Sequence, residues 1–430
     1  MKGRSCLPVS VLCLLVASAV SQGASLVSSD NIYFGHFHNH TELSGATGTP
    51  AQAYSAARSA GLDFFGLSDH GEALTTDEFV AMQTAADASN AAGAFSAFWG
   101  FEWSSSKYGH ITVVHPATFA SAGNASTDTF SEFMSWLGAQ GAVAFFNHPG
   151  RQNGAGTEFE HFTGAYSDNI VGMELWNKGD SFGTYYYNEG YTSDTRDRSG
   201  HYDEALLEGW QIGAAGSRDN HDGTWGSGSY RLAILAGSNT RGDLYSALWA
   251  RRFYSTLDQD LELSFRVNGS EMGSTIAGGI SQCVIEAADR GNEGFSRIEV
   301  IHNGYIVYTQ SVAGQTHPLV TCDLFAQQGD TLYCKVTQSD GDEAISSPVF
   351  ITSNGPDGPP RSALTAPLDN GPDDLEPASG QVTVNMTQPA FQIQLSDLEG
   401  VNDSTVTSAA VSVAGLTLGA DYTFAYNGST

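Results

Sequence analysis

Thiols are scarce in this 430-residue chain: five cysteines, of which Cys6 and Cys13 fall in an apolar run at the N-terminus. None belongs to a C-x-x-C pair, which argues against a thiolate zinc site and leaves His, Asp and Glu to carry any metal chemistry. Cations are scarce as well, 18 Lys and Arg against 47 Asp and Glu, a net charge of −29. A surface that acidic repels phosphate backbones, so no nucleic acid is expected in a basic groove. A small anionic substrate stays open, because a few metal ions invert the field of a single cleft. Beyond the N-terminus no stretch approaches the ~20 apolar residues of a membrane span. Charged residues reach only 15%, which excludes a coiled coil, and 49 glycines imply many turns between short elements.

The start of the chain reads as an export signal. Lys2 and Arg4 precede PVSVLCLLVASAV, and the small residues of SQGAS follow. Residues 1–24 are therefore expected to be removed and the mature protein to be secreted, extracellular or periplasmic. The length implies several domains. From 25 to 260, apolar strand-like runs (NIYFGHFH, LDFFGLSDH, AFWGFEW, HITVVH, AVAFFNH, IVGMELWN, WQIGAAGS) alternate with capped helical stretches, the pattern of an α/β layer or barrel. The 177–209 insertion, rich in Gly and Tyr, reads as a lid or as decoration, with Tyr185, Tyr186 and Tyr187 expected to show aromatic faces over a cleft. Residues 261–353 read as a small β-sandwich, 354–380 as a linker holding six of the 13 prolines, and 381–430 as a partial or minimal β-domain.

Ten of the 12 histidines lie at or before residue 221. They fall, with carboxylates, at the ends of strand-like runs: His38 and His40 after NIYFG, Asp69 and His70 after LDFFGLS, Glu102 after AFWGF, His110 before ITVV, His148 after AVAFF, Asp219 and His221 after WQIGAAGS. Strand ends on one face of an α/β barrel converge on one point. His-x-His on extended backbone puts both rings on one side. Imidazoles mixed with carboxylates suit Zn²⁺, Mn²⁺ or Fe²⁺.

These residues resemble the PHP (polymerase and histidinol phosphatase) superfamily, and within it the carbaryl-hydrolase-like metallohydrolases. HxHT matches His38, His40 and Thr41; the Asp-His pair matches Asp69 and His70; GFEWS holds the bridging glutamate, Glu102. His110, His148 in NHPG, and Asp219 and His221 in SRDNHDG complete the pattern over roughly residues 32–275. The resemblance implies an α/β fold with a PHP-type distorted (β/α)7 barrel followed by immunoglobulin-like β-sandwich domains. It implies a cluster of two or three divalent transition-metal ions on those ligands and a metal-activated hydroxide that attacks a phosphomonoester or phosphodiester. Asp69 would orient a ligand histidine, and Arg151 and Arg218 would bind phosphate or serve structural pairings. Two positions depart from the family. His36 stands where an aspartate is frequent, as a core residue or a partial replacement, and Gly45 stands where a ligand aspartate is frequent, which bears on a third ion.

The alternatives are a carbamate or amide metallohydrolase, or a binding protein with a decayed barrel whose β-domains attach it to a surface or glycan. The two strands CVIEAADR and TLYCKVTQ are expected to face each other as in an immunoglobulin-like sandwich, linking Cys283 to Cys334, with Cys322–Cys334 as the other pairing.

Overall fold

A computed structural model describes residues 30–151, 167–187 and 200–353, and the backbone of two further strands, Arg361–Ala366 and Gln392–Ser396. The expected signal, most of the linker and nearly all of the last β-segment lie outside the described residues. Within the expected linker, Arg361–Ala366 is a strand paired antiparallel with Gln392–Ser396.

The first ten strands are β1 (Asn31–His36), β2 (Phe64–Gly66), β3 (Ser96–Phe98), β4 (Gly100–Ser105), β5 (Gly109–Val114), β6 (Val143–Phe146), β7 (Ile170–Asn177), β8 (Gly213–Ser217), β9 (Arg231–Ala236) and β10 (Phe253–Thr256). Helices α1 (Pro50–Ser59), α2 (Thr76–Ser89) and α3 (Phe130–Gln140) lie between them, followed by the short α4 (Phe182–Tyr185), α5 (Gly200–Leu207) and α6 (Arg241–Trp249). The first three helices start where the sequence dictates. Thr49, Thr75 and Thr129 each accept from the third helical N–H, while Gln52, Glu78 and Glu132 return the bond to the cap.

These strands form two sheets. In one, β3-β2-β1 run parallel and continue through the antiparallel β9 and β10; the other runs β4-β5-β6-β7-β8. The sequence leads one to expect a single ring, but only Trp99 separates β3 from β4 and they belong to different sheets. Apolar side chains from both sheets meet in one cluster, including Phe37, Phe64, Phe98, Phe145, Ile234 and Phe253. Full burial of both faces explains why these strands read as continuous apolar runs.

The remaining strands are β11 (Leu261–Val267), β12 (Ser270–Glu271), β13 (Thr275–Ala277), β14 (Gly279–Asp289), β15 (Phe295–His302), β16 (Tyr305–Gln315), β17 (Leu319–Ala326), β18 (Thr331–Gln338), β19 (Glu343–Ser346) and β20 (Val349–Ser353). One layer is β12-β11-β14-β17; the strands of the other layer do not form a sheet of their own. β19 pairs with β10, so the second layer extends the first α/β sheet to 11 strands. The core follows: Ile32, Phe34, Leu235 and Tyr254 pack in one cluster with Leu263, Ile285, Val300 and Val336.

The disulfide expected between Cys283 and Cys334 is not formed, nor is Cys322–Cys334; all three thiols are free and buried. Cys283 is the register partner of Cys322 on the neighbouring β17, while Cys334 lies on β18 in the other layer. The strand β17 is an edge strand with Leu319 on the outside, so its apolar content does not all point inward.

Candidate metal centre

Three loops carrying ligand-type side chains are stitched together by backbone hydrogen bonds. Asp219 N–H donates to the His38 carbonyl and His40 N–H to the Asn220 carbonyl, both at 2.9 Å. A parallel bridge joins His70 to Glu102. This lattice brings His38, His40, His70, Glu102, His110, His148, Asp219 and His221 to one place. Their donor atoms form four overlapping groups within 4.8 Å: His40 with His70 and His221; His38 with His148 and Asp219; His38 with His40 and Glu102; Glu102 with His110 and His148. A fifth group, Asp258, Asp260 and Asp289, contains no imidazole.

Glu102 is the hub. Its carboxylate lies 3.1 Å from His38 Nε2, 3.7 Å from His40 Nε2, 2.8 Å from His70 Nδ1, 3.1 Å from His110 Nδ1 and 3.4 Å from His148 Nε2. Asp219 Oδ1 is 3.4 Å from His38 Nε2 and 3.2 Å from His40 Nε2. Yet His38 Nε2 and His40 Nε2 are buried with no hydrogen-bond partner. Buried polar atoms are nearly always satisfied. Two unpartnered imidazole nitrogens aimed between two buried carboxylates fit divalent cations, and the mixed nitrogen and oxygen set fits Zn²⁺, Mn²⁺ or Fe²⁺.

The electrostatics say the same. Burial opposes ionisation of Glu102, but the surrounding imidazoles outweigh it and hold its carboxyl well below the usual range. Burial likewise opposes the charge on Asp219, and His38 and His40 overcome it, leaving the carboxyl strongly acidic. Desolvation would neutralise His38, but Glu102, Asp219 and Glu174 raise it well above its ordinary value. For His40 desolvation wins and lowers the pKa to about 3, which favours a neutral ring. The centre gathers anionic charge in a buried space and calls for positive charge.

Asp69 reaches this centre through a relay. It accepts from Thr41 N–H at 2.7 Å, Thr41 Oγ1 at 2.9 Å and Ser44 Oγ at 2.6 Å, and Ser44 Oγ lies 3.3 Å from His40 Nδ1. Gly45 closes that turn at φ 81°, a left-handed conformation that disfavours a side-chain-bearing ligand there. His36 belongs to none of the ligand groups; its Nε2 lies 3.0 Å from the Tyr230 carbonyl and its ring meets Trp176 edge-on. Arg151 donates to Asp219 Oδ2 at 2.7 Å. Arg218 instead donates to the Lys178 carbonyl at 2.8 Å and to Ser227.

Four contributors escaped the sequence reading. Glu174, inside the apolar run of β7, holds His38 Nδ1 at 2.9 Å and accepts from His148 N–H at 2.8 Å. A glutamate in an otherwise apolar buried strand was the signal that could have found it. Asn147 donates to Glu102 Oε1 at 2.7 Å, and Ser104 Oγ meets His70 Nδ1 at 2.8 Å. Lys178 places Nζ 3.5 Å from Asp219 Oδ2. Its backbone is left-handed at φ 57°, as are those of His148 at 27° and Asp219 at 43°. Non-glycine residues in that region are strained, and three of them gather here.

No protein-family model matches the chain. Two uncharacterized proteins, from Chlamydia muridarum (strain MoPn / Nigg) and Chlamydia pneumoniae, are 29% and 27% identical to it over 139 residues. The matched part is 28% of this chain, and this chain spans only 22% of the length of either relative. Among solved structures, a two-domain protein from Bacteroides vulgatus ATCC 8482, described as containing a predicted PHP-like metal-dependent phosphoesterase, is similar with a TM-score of 0.41 and 14% identity. That similarity covers 75% of this chain and 96% of the other. The carbaryl-hydrolase-like branch finds no support in these comparisons.

Proposed function

We propose that the protein is a metal-dependent hydrolase of the PHP type that acts on small phosphoesters. The observation that carries this reading is the convergence of five imidazoles on the single buried Glu102, with unpartnered His38 and His40 nitrogens beside it. Two ions would be held by His38, His40, Glu102, His110, His148 and Asp219, with Glu102 placed to bridge; His70 and His221 offer, with His40, a third position. The chemistry such ions supply when bound is activation of water at neutral pH and neutralisation of charge on the electrophile.

The chain's own residues do the rest. Glu174 fixes the His38 ring by its Nδ1 and the His148 backbone by its N–H, so two ligands keep their orientation. Asn147 occupies one lone pair of Glu102 and limits how the carboxylate can turn. Arg151 and Lys178 stand beside Asp219 and supply positive charge for an anionic group. A neutral carbamate or amide carries no ground-state charge for these two cations to bind, which ranks that alternative second. A decayed binding protein would have no use for the buried carboxylates Glu102, Glu174 and Asp219.

In this reading the two sheets around the shared phenylalanine cluster form a distorted (β/α)7 barrel and the β-region is immunoglobulin-like. Residues 1–24 act as an export signal, and the β-strands beyond 260 are candidates for surface or glycan attachment. The test is direct. Purified protein should carry about two transition-metal ions per chain and hydrolyse chromogenic phosphoesters, lose turnover to a chelator, and regain it with Mn²⁺ or Zn²⁺. Metal-loaded protein that cleaves a carbamate and no phosphoester would move the function to the second reading.

A further inference from the structure

We propose that the β-region beyond residue 260 is a working part of the candidate centre, because it positions Arg151 through three consecutive tyrosines. The proposal rests on the phosphoester reading for the role of Arg151 and on geometry for the rest.

Tyr185, Tyr186 and Tyr187 diverge at the end of α4. Tyr185 stays with the centre: its hydroxyl accepts from Arg151 Nη2 at 2.8 Å, and Arg151 also donates to Asn177 Oδ1 and to Asp219 Oδ2. The other two point into the β-region. Tyr333 donates its proton to Asp203 Oδ1 at 2.8 Å, so Tyr186 is the donor in the 2.8 Å bond between Tyr186 and Tyr333. Tyr187 donates to the Glu343 carboxylate, 2.9 Å from both oxygens, and accepts from Lys335 Nζ at 2.7 Å. Lys335 is itself buried and lies 3.1 Å from the fully buried Glu299.

The β18 strand makes this possible by alternation. Leu332, Cys334 and Val336 enter the sandwich core, while Tyr333 and Lys335, two residues apart, share the opposite face and meet the tyrosines. A buried lysine and glutamate are costly to desolvate, and such groups are better replaced by apolar ones where only stability matters. Here Glu299 pairs with Lys335, and Lys335 holds the Tyr187 hydroxyl in place. Tyr185 is fixed because its two successors are fixed, and Arg151 is fixed because Tyr185 is. This replaces the expected picture of three tyrosines laid over a cleft: Tyr185 and Tyr186 are buried and hydrogen-bonded.

Arg151 is thus the group that would touch the substrate, and Tyr185, Tyr187, Tyr333 and Lys335 are positioning residues. The experiment uses the full chain loaded with Mn²⁺ and inorganic phosphate as the probe. Calorimetry should show phosphate binding weakened about tenfold in Tyr187→Phe and in Tyr333→Phe, and KM for a phosphomonoester should rise about as much with kcat nearly unchanged. Metal content should stay at the wild-type value. In an Arg151→Ala background the same tyrosine changes should have no further effect, which a merely structural role would not produce. Phosphate affinity unchanged in folded Tyr187→Phe and Tyr333→Phe would overturn the proposal, as would an equal loss in the Arg151→Ala background.

If Tyr333→Phe does not fold, Tyr187→Phe carries the test, since it removes one hydroxyl from a half-buried ring. A wild type that binds no phosphate would sink the phosphoester reading alone. The tether is then read from the rate at which phenylglyoxal modifies Arg151. Faster modification in Tyr187→Phe supports positioning, and an unchanged rate overturns it.

Discussion

Imidazole–carboxylate contacts occur in both halves of the molecule, and they are built differently. In the β-region His302 lies 2.8 Å from Asp330 and His317 lies 2.7 Å from Glu286, each ring meeting one acid. Around Glu102, five rings lie 2.8 to 3.7 Å from one carboxylate, and three of them, His38, His40 and His148, leave a buried nitrogen unpartnered. His317 is satisfied by its bond to Glu286, whereas His302 Nε2 is buried without a hydrogen-bond partner although it faces a single acid. Around Glu102 the ring nitrogens outnumber the carboxylate oxygens, and that surplus of donor atoms is what a cation would complete. Proximity of histidine to an acid is therefore weak evidence for a metal; convergence is strong evidence.

The largest expected effect separates the two arrangements. Glu102→Gln should lose bound metal and at least ~10³-fold in kcat/KM, because a neutral amide bridges cations poorly, while His302→Ala stays within roughly twofold of wild type. Metal analysis and steady-state kinetics check both, and full activity in Glu102→Gln would abolish the distinction. Next comes Glu174→Gln, which leaves every ligand in place but unlatches His38 and His148. A loss of ~10- to 100-fold in metal affinity is expected, read by competition with a chromogenic chelator. A smaller effect follows metal removal. Chelation should lower the melting temperature of the wild type in a way that Mn²⁺ or Zn²⁺ reverses, and should do so equally in Glu286→Gln, whose change lies in the self-satisfied pair.

The smallest expected effect is a pH dependence in the β-region. Burial alone would raise the Asp330 carboxyl, but the adjacent His302 imidazole, with the hydrogen bonds from Gln327 N–H and Asn303, depresses it well below the carboxylate range. A depressed folded-state value means stability that is present above the unfolded aspartate value of about 3.9 and lost as pH falls below it. Asp330→Asn should flatten that acid branch of the melting curve between roughly pH 5 and pH 2. An identical slope in the two proteins would show that the pair contributes nothing.

The gathering of these histidines and carboxylates was legible because strand ends and the His-x-His alternation are local properties of the chain. Asp69 and His70 close one apolar run and His148 follows another, and the fold brings such ends together by the rule that governs α/β sheets. Glu174 and Asn147 were less visible, since a polar residue within a buried run announces itself only once its neighbours are known. Helix starts were legible at Thr49, where Pro50 follows the cap. The roles of Tyr186 and Tyr187 were not, because their partners Tyr333 and Glu343 lie about 150 residues away. Cys283 shows the same limit. Its strand was expected correctly, but which strand lies beside it depends on the long-range pairing with β17.

The ladder between β10 and β19 bears on how the molecule would come apart. With Tyr254 opposite Ser346 and Thr256 opposite Ala344, the sheet passes through the expected boundary near residue 260 without a break. A chain ended there would leave β10 with an open row of amides and carbonyls, and would bare Ile32, Phe34 and Tyr254 to water. The two regions should then melt as one cooperative unit in a single calorimetric peak. A protease that nicks between them should release neither as a stable fragment.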